Sequence, residues 1–341
     1  MLEVRSGHAR AADGVRLWWR RLAPCGAPRQ APALVLCNGA ACTIHYWPRL
    51  TAHFVSRMPV VQWDYRGHGL SERGIDPATV SIEGLAADLG AVLEAAGVER
   101  AVLVGHSLGV QVVLEGARRH RSRTEAAVCM FGTFGEPARM LSDWDGLPRL
   151  IGRGLERAGR LLRRIKPVFD PLWESRLTVY LASLIGANRA LLPPGSLEPL
   201  IGHIRTMDPA VALACFRAAL EYSARGLLPQ LEVPLLIFAG GQDRMTPPAF
   251  AREMARLAPR AELCVLPHAS HLGLIEDPAS VHYRLEMFLA EQGLLPAARA
   301  AGSRAAARRA VAARAASGSP AAAAPRPAQA PQPAAATAHA G

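Results

Sequence analysis

Residues 101–109 read AVLVGHSLG: an apolar, β-branched run stops at Gly105, a serine stands at 107, a second glycine follows at 109, and helical spacing of Val110, Val113, Leu114 and Ala117 begins. A serine on so sharp a strand-to-helix turn needs neighbours without a Cβ two positions away on each side, because strand and helix close up on it. The run before it has no polar alternation, so the strand is expected to be buried on both faces. That requires a mainly parallel sheet with helices above and below.

Other parts of the chain supply that sheet. ALVLCNG (33–39), PVVQWD (59–64), AAVCMF (126–131), PLLIFAG (234–240) and AELCVLP (261–267) are further short apolar runs, separated by longer helical patterns. This is the order of a doubly covered parallel sheet. At the N-terminus Asp13-Gly14 precedes the alternating stretch Val15 to Arg21, which predicts an antiparallel hairpin. Between AAVCMF and PLLIFAG the spacing jumps, and residues 135–229 carry Leu, Trp and Arg at helical spacing with no convincing strand. The expected organisation is a core of residues 1–134 and 230–296, a helical cap or lid at 135–229, and a tail at 297–341. In that tail 23 of 45 residues are Ala, five are Pro and almost none is large and apolar, so it is expected to be disordered.

Composition narrows the function classes. No apolar run approaches the ~18 residues of a membrane span, and the six cysteines show neither a C-x-x-C pair nor metal-ligand spacing, so they are expected to be reduced and structural. The formal net charge of +11 is largely a tail effect: residues 297–341 hold six Arg and no acid, leaving 33 basic against 28 acidic groups elsewhere. No nucleic-acid partner is expected. The first 25 residues lack the apolar stretch of a secretory signal, which predicts a cytoplasmic location.

A serine hydroxyl is a weak nucleophile and needs a base, a carboxylate to hold that base, and donors for the oxyanion. Each belongs at the C-terminal edge of the sheet. Asp243, in the glycine-rich loop after PLLIFAG, is the expected carboxylate; Glu136, just after AAVCMF, is the competing acid or else a hinge charge. LPHASHLGLIEDP offers His268 and His271. His271 is the expected base, because Leu272, Leu274 and Ile275 behind it can anchor its loop on the core. His106 is expected to pack or orient the turn. Backbone N–H groups of Leu108, at a helix N-terminus, and of Ala40, in Asn38-Gly39-Ala40-Ala41, are the expected oxyanion donors.

Taken together these residues resemble the α/β-hydrolase superfamily over about residues 10–293. WDYRGHGLSE (63–72) is similar to its D-x-R-G-x-G-x-S loop, SIEGLAADLGAVLEAAGVERAVLVGHSLG (81–109) to the helix and strand leading into its nucleophile, and Ser107, Asp243, His271 follow its chain order. The resemblance implies an α/β fold with a mostly parallel central sheet, helices on both faces and a helical cap insertion. It implies a serine hydrolase that cleaves a carboxylic ester or related acyl bond of a small to medium apolar substrate, with no metal or organic cofactor. Because lid helices wall the pocket in capped members, Trp144, Trp173 and Phe216 are expected to contact substrate, with Phe169, Tyr180 and Tyr222 as further aromatic residues of the cap.

Departures from the family pattern sort the branches. Asn38-Gly39 stands where many members have His-Gly, Ser107 stands where dehalogenases and epoxide hydrolases have Asp, and Ser107-Leu108-Gly109-Val110 differs from the S-M-G-G of many cofactor-free haloperoxidase-like members. Carbon–carbon bond hydrolases and enol-lactonases share the whole triad and remain alternatives, as do a cofactor-free haloperoxidase-like member and a non-catalytic ligand-binding relative. Residues 147–166, LPRLIGRGLERAGRLLRRIK, form a basic amphipathic pattern read as a solvated helix face, with contact to a membrane surface as the alternative.

Overall fold

The hairpin signalled by Asp13-Gly14 opens the sheet: β1 (Leu2–Arg10) and β2 (Arg16–Pro24) pair antiparallel, with Gly14 at φ 89° in the turn. A computed structural model describes residues 1–28, 30–137, 146–173 and 187–295, with side chains of 166–173 left aside. All lie within one unit, Met1–Ala300. The tail read at 297–341 falls outside the described residues.

Six further strands follow: β3 (Ala33–Cys37), β4 (Val60–Trp63), β5 (Ala101–His106), β6 (Thr124–Met130), β7 (Leu235–Gly240) and β8 (Ala261–Leu266). Every apolar run picked from the sequence forms one of them. The sheet order is β1-β2-β4-β3-β5-β6-β7-β8, antiparallel at β1–β2 and β2–β4 and parallel from there on. This is the α/β class expected, and β5, which carries the serine turn at its end, sits inside the sheet with all six residues buried.

Alternate strand residues feed two separate cores, one on each face. Val35 and Leu103 point into a core shared with α2 (Ile82–Ala95) and α3 (Leu108–Arg119), while Leu34, Leu36, Val102 and Val104 join α1 (Pro48–Phe54) on the other face. Period-two projection from a central strand explains the split. Phe54, on α1, is fully buried, and such a side chain contributes about 1.5–3 kcal/mol by leaving water. The sequence pattern gave α3 an apolar face, yet its residues from Leu108 to Ala117 are buried all round. It is enclosed by the sheet, α2 and the chain that follows β6.

The insertion contributes α4 (Leu147–Trp173), α5 (Glu198–Thr206) and α6 (Pro209–Glu221). Within it α6 is knitted into the core: Val211, Ala214, Cys215 and Ala218 belong to the same apolar cluster as α2 and α3. After β7 come α7 (Pro248–Leu257), then α8 (Gly273–Glu276) and α9 (Pro278–Glu291) beyond β8. α7 packs on the α3 face; α9, through Val281, Leu285 and Phe288, covers the other. No described helix is long and apolar enough to cross a membrane.

The loop after β4 is braced by ion pairs. Arg66 is buried between Asp88 on α2, at 2.8 and 2.7 Å, and Asp13 in the hairpin turn, at 2.7 Å. Asp64 accepts from the amides of Leu70 and Ile44, and a Cβ on Gly69 would lie 2.1 Å from its carboxylate. So the D-x-R-G-x-G-x-S stretch is a scaffold: its acid and its arginine hold loops together beside the sheet edge.

Candidate active site

Ser107 joins β5 to α3 with φ 55° and ψ −119°, a conformation an L-residue holds only when its surroundings force it, at a cost of about 1–3 kcal/mol. Backbone crowding does the forcing. A Cβ on Gly105 would lie 2.1 Å from the Gly109 carbonyl oxygen, and one on Gly109 would lie 2.3 Å from that of Cys37. Both glycines are therefore dictated by contact with backbone. Gly132, past the end of β6, belongs to the same arrangement, since its Cβ would meet the Ser107 carbonyl oxygen at 2.5 Å. Sequence reading missed it; its one signal was its place just beyond an apolar run.

Two more loops reach the serine from the ends of β7 and β8. His271 Nε2 lies 2.9 Å from Ser107 Oγ, and its Nδ1 lies 2.9 Å from Asp243 Oδ2. An ionised carboxylate only accepts, so Nδ1 carries the ring proton and Nε2 is left to accept from the serine hydroxyl. Asp243 is 4% exposed and also accepts from the amides of Met245 and Thr246 and from the Thr246 hydroxyl, at 2.8–2.9 Å. Burial alone would raise this carboxyl, but the bonds from His271 and Thr246 outweigh it and hold Asp243 below the usual carboxylate value. Thr246 was not singled out in the sequence.

The competing residues lie elsewhere. His268 is exposed, and its carbonyl accepts from Asn188. Glu136 accepts from Ser223 and from Arg225 at the start of the insertion. His106 is buried beside the serine, stacks on Tyr46 with centroids 4.1 Å apart, and donates from Nε2 to the His271 carbonyl at 3.0 Å. Burial drives its pKa down to about 3, so the ring is neutral and ties the His271 loop to the serine turn.

Leu108 opens α3, where an amide has no partner inside the helix. The loop after β3 approaches the serine closely: a Cβ on Gly39 would lie 3.3 Å from the Ser107 Cβ. Ala41 turns that loop at φ 54°. Neither the Ala40 nor the Leu108 amide has a protein acceptor among the described residues. Asn38, the family's departure, is buried with both ends of its carboxamide used: Nδ2 donates to the Trp63 carbonyl and Oδ1 accepts from Trp47 Nε1, each at 2.7 Å. It pins the ends of β3 and β4 and the start of α1 to one another.

Of the aromatic residues expected to touch substrate, Trp144 and Tyr180 lie outside the described residues, and Phe169 and Trp173 fall in α4 where only backbone is described. Phe216 is 40% exposed on α6, whose neighbours Cys215 and Ala218 are buried. Tyr222 is buried, with its hydroxyl on Glu115. Among the described residues no group of three or more His, Cys, Asp and Glu is gathered as for a metal ion. A cavity of about 740 Å³ opens at the opposite end of the parallel strands, between Pro24, Pro32, Pro59 and Arg100, away from Ser107.

Comparison with known proteins agrees with this architecture. A model of the alpha/beta hydrolase fold matches residues 32–278. Two relatives, from Caulobacter segnis and Pseudomonas savastanoi pv. phaseolicola, bear the name "Putative carbamate hydrolase RutD". The first is 24% identical over 257 residues, 75% of this chain and 90% of its own length. The second is 27% identical over 263 residues, 77% of this chain and 95% of its own length. Among solved structures, a thermophilic esterase from Thermogutta terrifontis superposes with a TM-score of 0.67 at 22% identity, covering 84% of this chain and 99% of that one. The enol-lactonase from Burkholderia xenovorans LB400 gives 0.67 at 23%, covering 83% and 100%. The chain belongs to the α/β-hydrolase fold family.

Proposed function

We propose that the protein is a serine hydrolase that cleaves a carboxylic ester, or a related acyl bond, through an acyl-enzyme formed on Ser107. The observation that carries this reading is the unbroken line of hydrogen bonds from Ser107 Oγ through His271 to Asp243. Ser107 Oγ attacks the carbonyl carbon while its proton passes to His271 Nε2, and Asp243 stabilises the imidazolium without taking the proton. The N–H groups of Ala40 and Leu108 receive the oxyanion. When the tetrahedral species collapses, His271 returns the proton to the leaving group. Water then attacks the acyl carbonyl as His271 takes its proton, and when the acyl–oxygen bond breaks His271 passes that proton to Ser107 Oγ and the acid departs.

No residue in this sequence of steps needs a metal or organic cofactor. Residues 135–229 act as the cap in this reading, and its apolar side chains, Trp144, Trp173 and Phe216 among them, shape the site for a small to medium apolar acyl group. A second reading is favoured by the relatives that carry the carbamate hydrolase name and match three-quarters of this chain. A carbamate carbonyl would meet the same nucleophile and the same two amides.

The test is covalent. An organophosphonate serine probe should label the wild-type protein on the Ser107 peptide, and nitrophenyl esters of graded acyl length should be turned over with a preference for short to medium chains. Ser107→Ala should fold normally, take up no probe and lose at least about 10⁴-fold in turnover. Full esterase activity in purified Ser107→Ala would end this account.

A further inference from the structure

One buried carboxylate near the site has no part in the chemistry above. Glu276, at the end of α8, is 8% exposed. Its Oε2 accepts from the Ser270 amide at 2.6 Å, and its Oε1 accepts from the Ser270 hydroxyl at 2.5 Å and from the Asn188 amide at 2.7 Å. Both oxygens are thus spent on the residue that precedes His271 and on one that comes from the insertion. Asn188 also reaches further: its Nδ2 donates to the His268 carbonyl at 2.9 Å and to Gln242 Oε1 at 3.3 Å. Gln242 adjoins Asp243, and His268 and Ser270 bracket the stretch that leads into His271. One residue of the insertion therefore touches the acid loop and the base loop together.

We propose that Asn188 and Glu276 are positioning residues, a latch by which the insertion sets the imidazole of His271 against Ser107 and Asp243. The inference rests on the catalytic reading of those three residues. Its physical basis is that an imidazole must be held to within a fraction of an ångström to take the serine proton, and a 1 Å error costs about 10²-fold. The β8–α8 loop is not a regular element: its first half lies against the backbone of Gly240 and Gly241, with the Gln242 amide on the Ala269 carbonyl, and the setting of Ser270 and His271 beyond it depends on what else grips them. His106 grips the His271 carbonyl from below, and the latch grips Ser270 and His268 from the insertion side. The base loop is correctly set only when the chain at Asn188 is seated on it.

Two substitutions test this on the full-length protein with a nitrophenyl ester. Asn188→Ala removes the bonds to His268 and Gln242 while keeping the backbone amide on Glu276. Glu276→Gln puts an N–H₂ where one donor group must be accepted. Each should lower kcat by about 10- to 100-fold with KM changed less than about twofold, and slow probe labelling of Ser107 in parallel. Because both act through Ser270 and the same loop, the double variant should fall short of the product of the single effects. If Glu276→Gln fails to fold, Asn188→Ala alone decides. Folded variants with wild-type kcat and labelling rate would overturn the latch. Absence of labelling in the wild-type protein would instead overturn the catalytic reading beneath it.

Discussion

The loops that bring Ser107 and His271 together are held by different means. The serine turn is fixed by backbone crowding: Gly105 against Gly109, Gly109 against Cys37, Gly132 against Ser107, with no side-chain hydrogen bond capping α3. The loop of His271 also meets backbone, since a Cβ on Gly240 or Gly241 would lie 2.5 Å from the carbonyl oxygen of Ser270 or Pro267. But it carries in addition a network of side chains, His106, Ser270, Glu276 and Asn188, with Thr246 and Asp243 on the ring itself. Crowding is rigid and local. A polar network is assembled from distant parts of the chain and can be set or released by any one of them. One loop should therefore fail by unfolding when altered, and the other by losing activity while it stays folded.

Asp243→Asn puts the second half of that statement to its strongest test. The amide side chain can donate to Nδ1 and so favours the tautomer in which Nε2 carries the proton and cannot accept from Ser107. Turnover should fall by about 10³- to 10⁴-fold while the fold survives. Unfolding curves and probe-labelling rates of the purified variant would check it; activity within tenfold of wild type would remove Asp243 from its assigned role.

Gly109→Ala tests the first half. Its Cβ would sit 2.3 Å from the Cys37 carbonyl oxygen and 2.7 Å from that of Asn38, both backbone atoms of a central strand's end. A loss of about 3 kcal/mol or more is expected, beyond ordinary overpacking because no side chain can rotate away. Gly154→Ala is the control. That glycine lies in α4 with nothing within 4 Å of a new Cβ, and the change should stabilise by up to ~1 kcal/mol. Equal denaturation midpoints for the two variants would refute the crowding account.

The same difference decides what could be read from the sequence. Crowding leaves a partly local signature, because two of the glycines that permit it, Gly105 and Gly109, stand two residues from the serine, while Gly132 does not. So the strand, the turn and the helix were legible together, as were the six parallel runs and the hairpin at Asp13-Gly14. The loops of Asp243 and His271 were legible because each follows a strand and ends in a polar residue of the needed type. Glu276 and Asn188 were not. They are 88 residues apart in sequence, one lies in an insertion without strands, and an acid in a short helix carries no mark of whose amide it will meet. Nor could a pattern show that α6 is part of the core, since its buried face is built of small residues, Ala210, Ala214 and Ala218, around Val211 and Cys215. Asn38 read as a loop residue, and only the approach of Trp47 and Trp63 makes it a brace.

Acid should draw the last and shallowest distinction. His68, His106, His203 and His282 are driven by burial to pKa values of about 4, 3, 4 and 4, whereas an unfolded chain takes up these protons near 6.5. A folded value below the unfolded one means stability is full above about pH 6.5 and is lost as pH falls towards 4, because the unfolded state binds protons the fold refuses. Each histidine contributes at most about 1.4 kcal/mol per pH unit in that window. Asp243 follows later: its contribution is full above the ordinary carboxylate value and is lost only as pH drops through its lower folded value. Urea midpoints at pH 8, 6.5, 5.5 and 4.5 should therefore be flat at first and then fall, with Asp64 and Asp88, whose carboxyls burial raises, offsetting part of the fall at the acid end. His282→Gln, remote from Ser107, should flatten the slope by the share of one proton. His106→Asn should flatten it too, and in addition loosen the loop that His106 holds by the His271 carbonyl. Stability that stays constant from pH 7 to pH 5 would mean these rings reach water, and that the base loop does not rest on a neutral, enclosed imidazole.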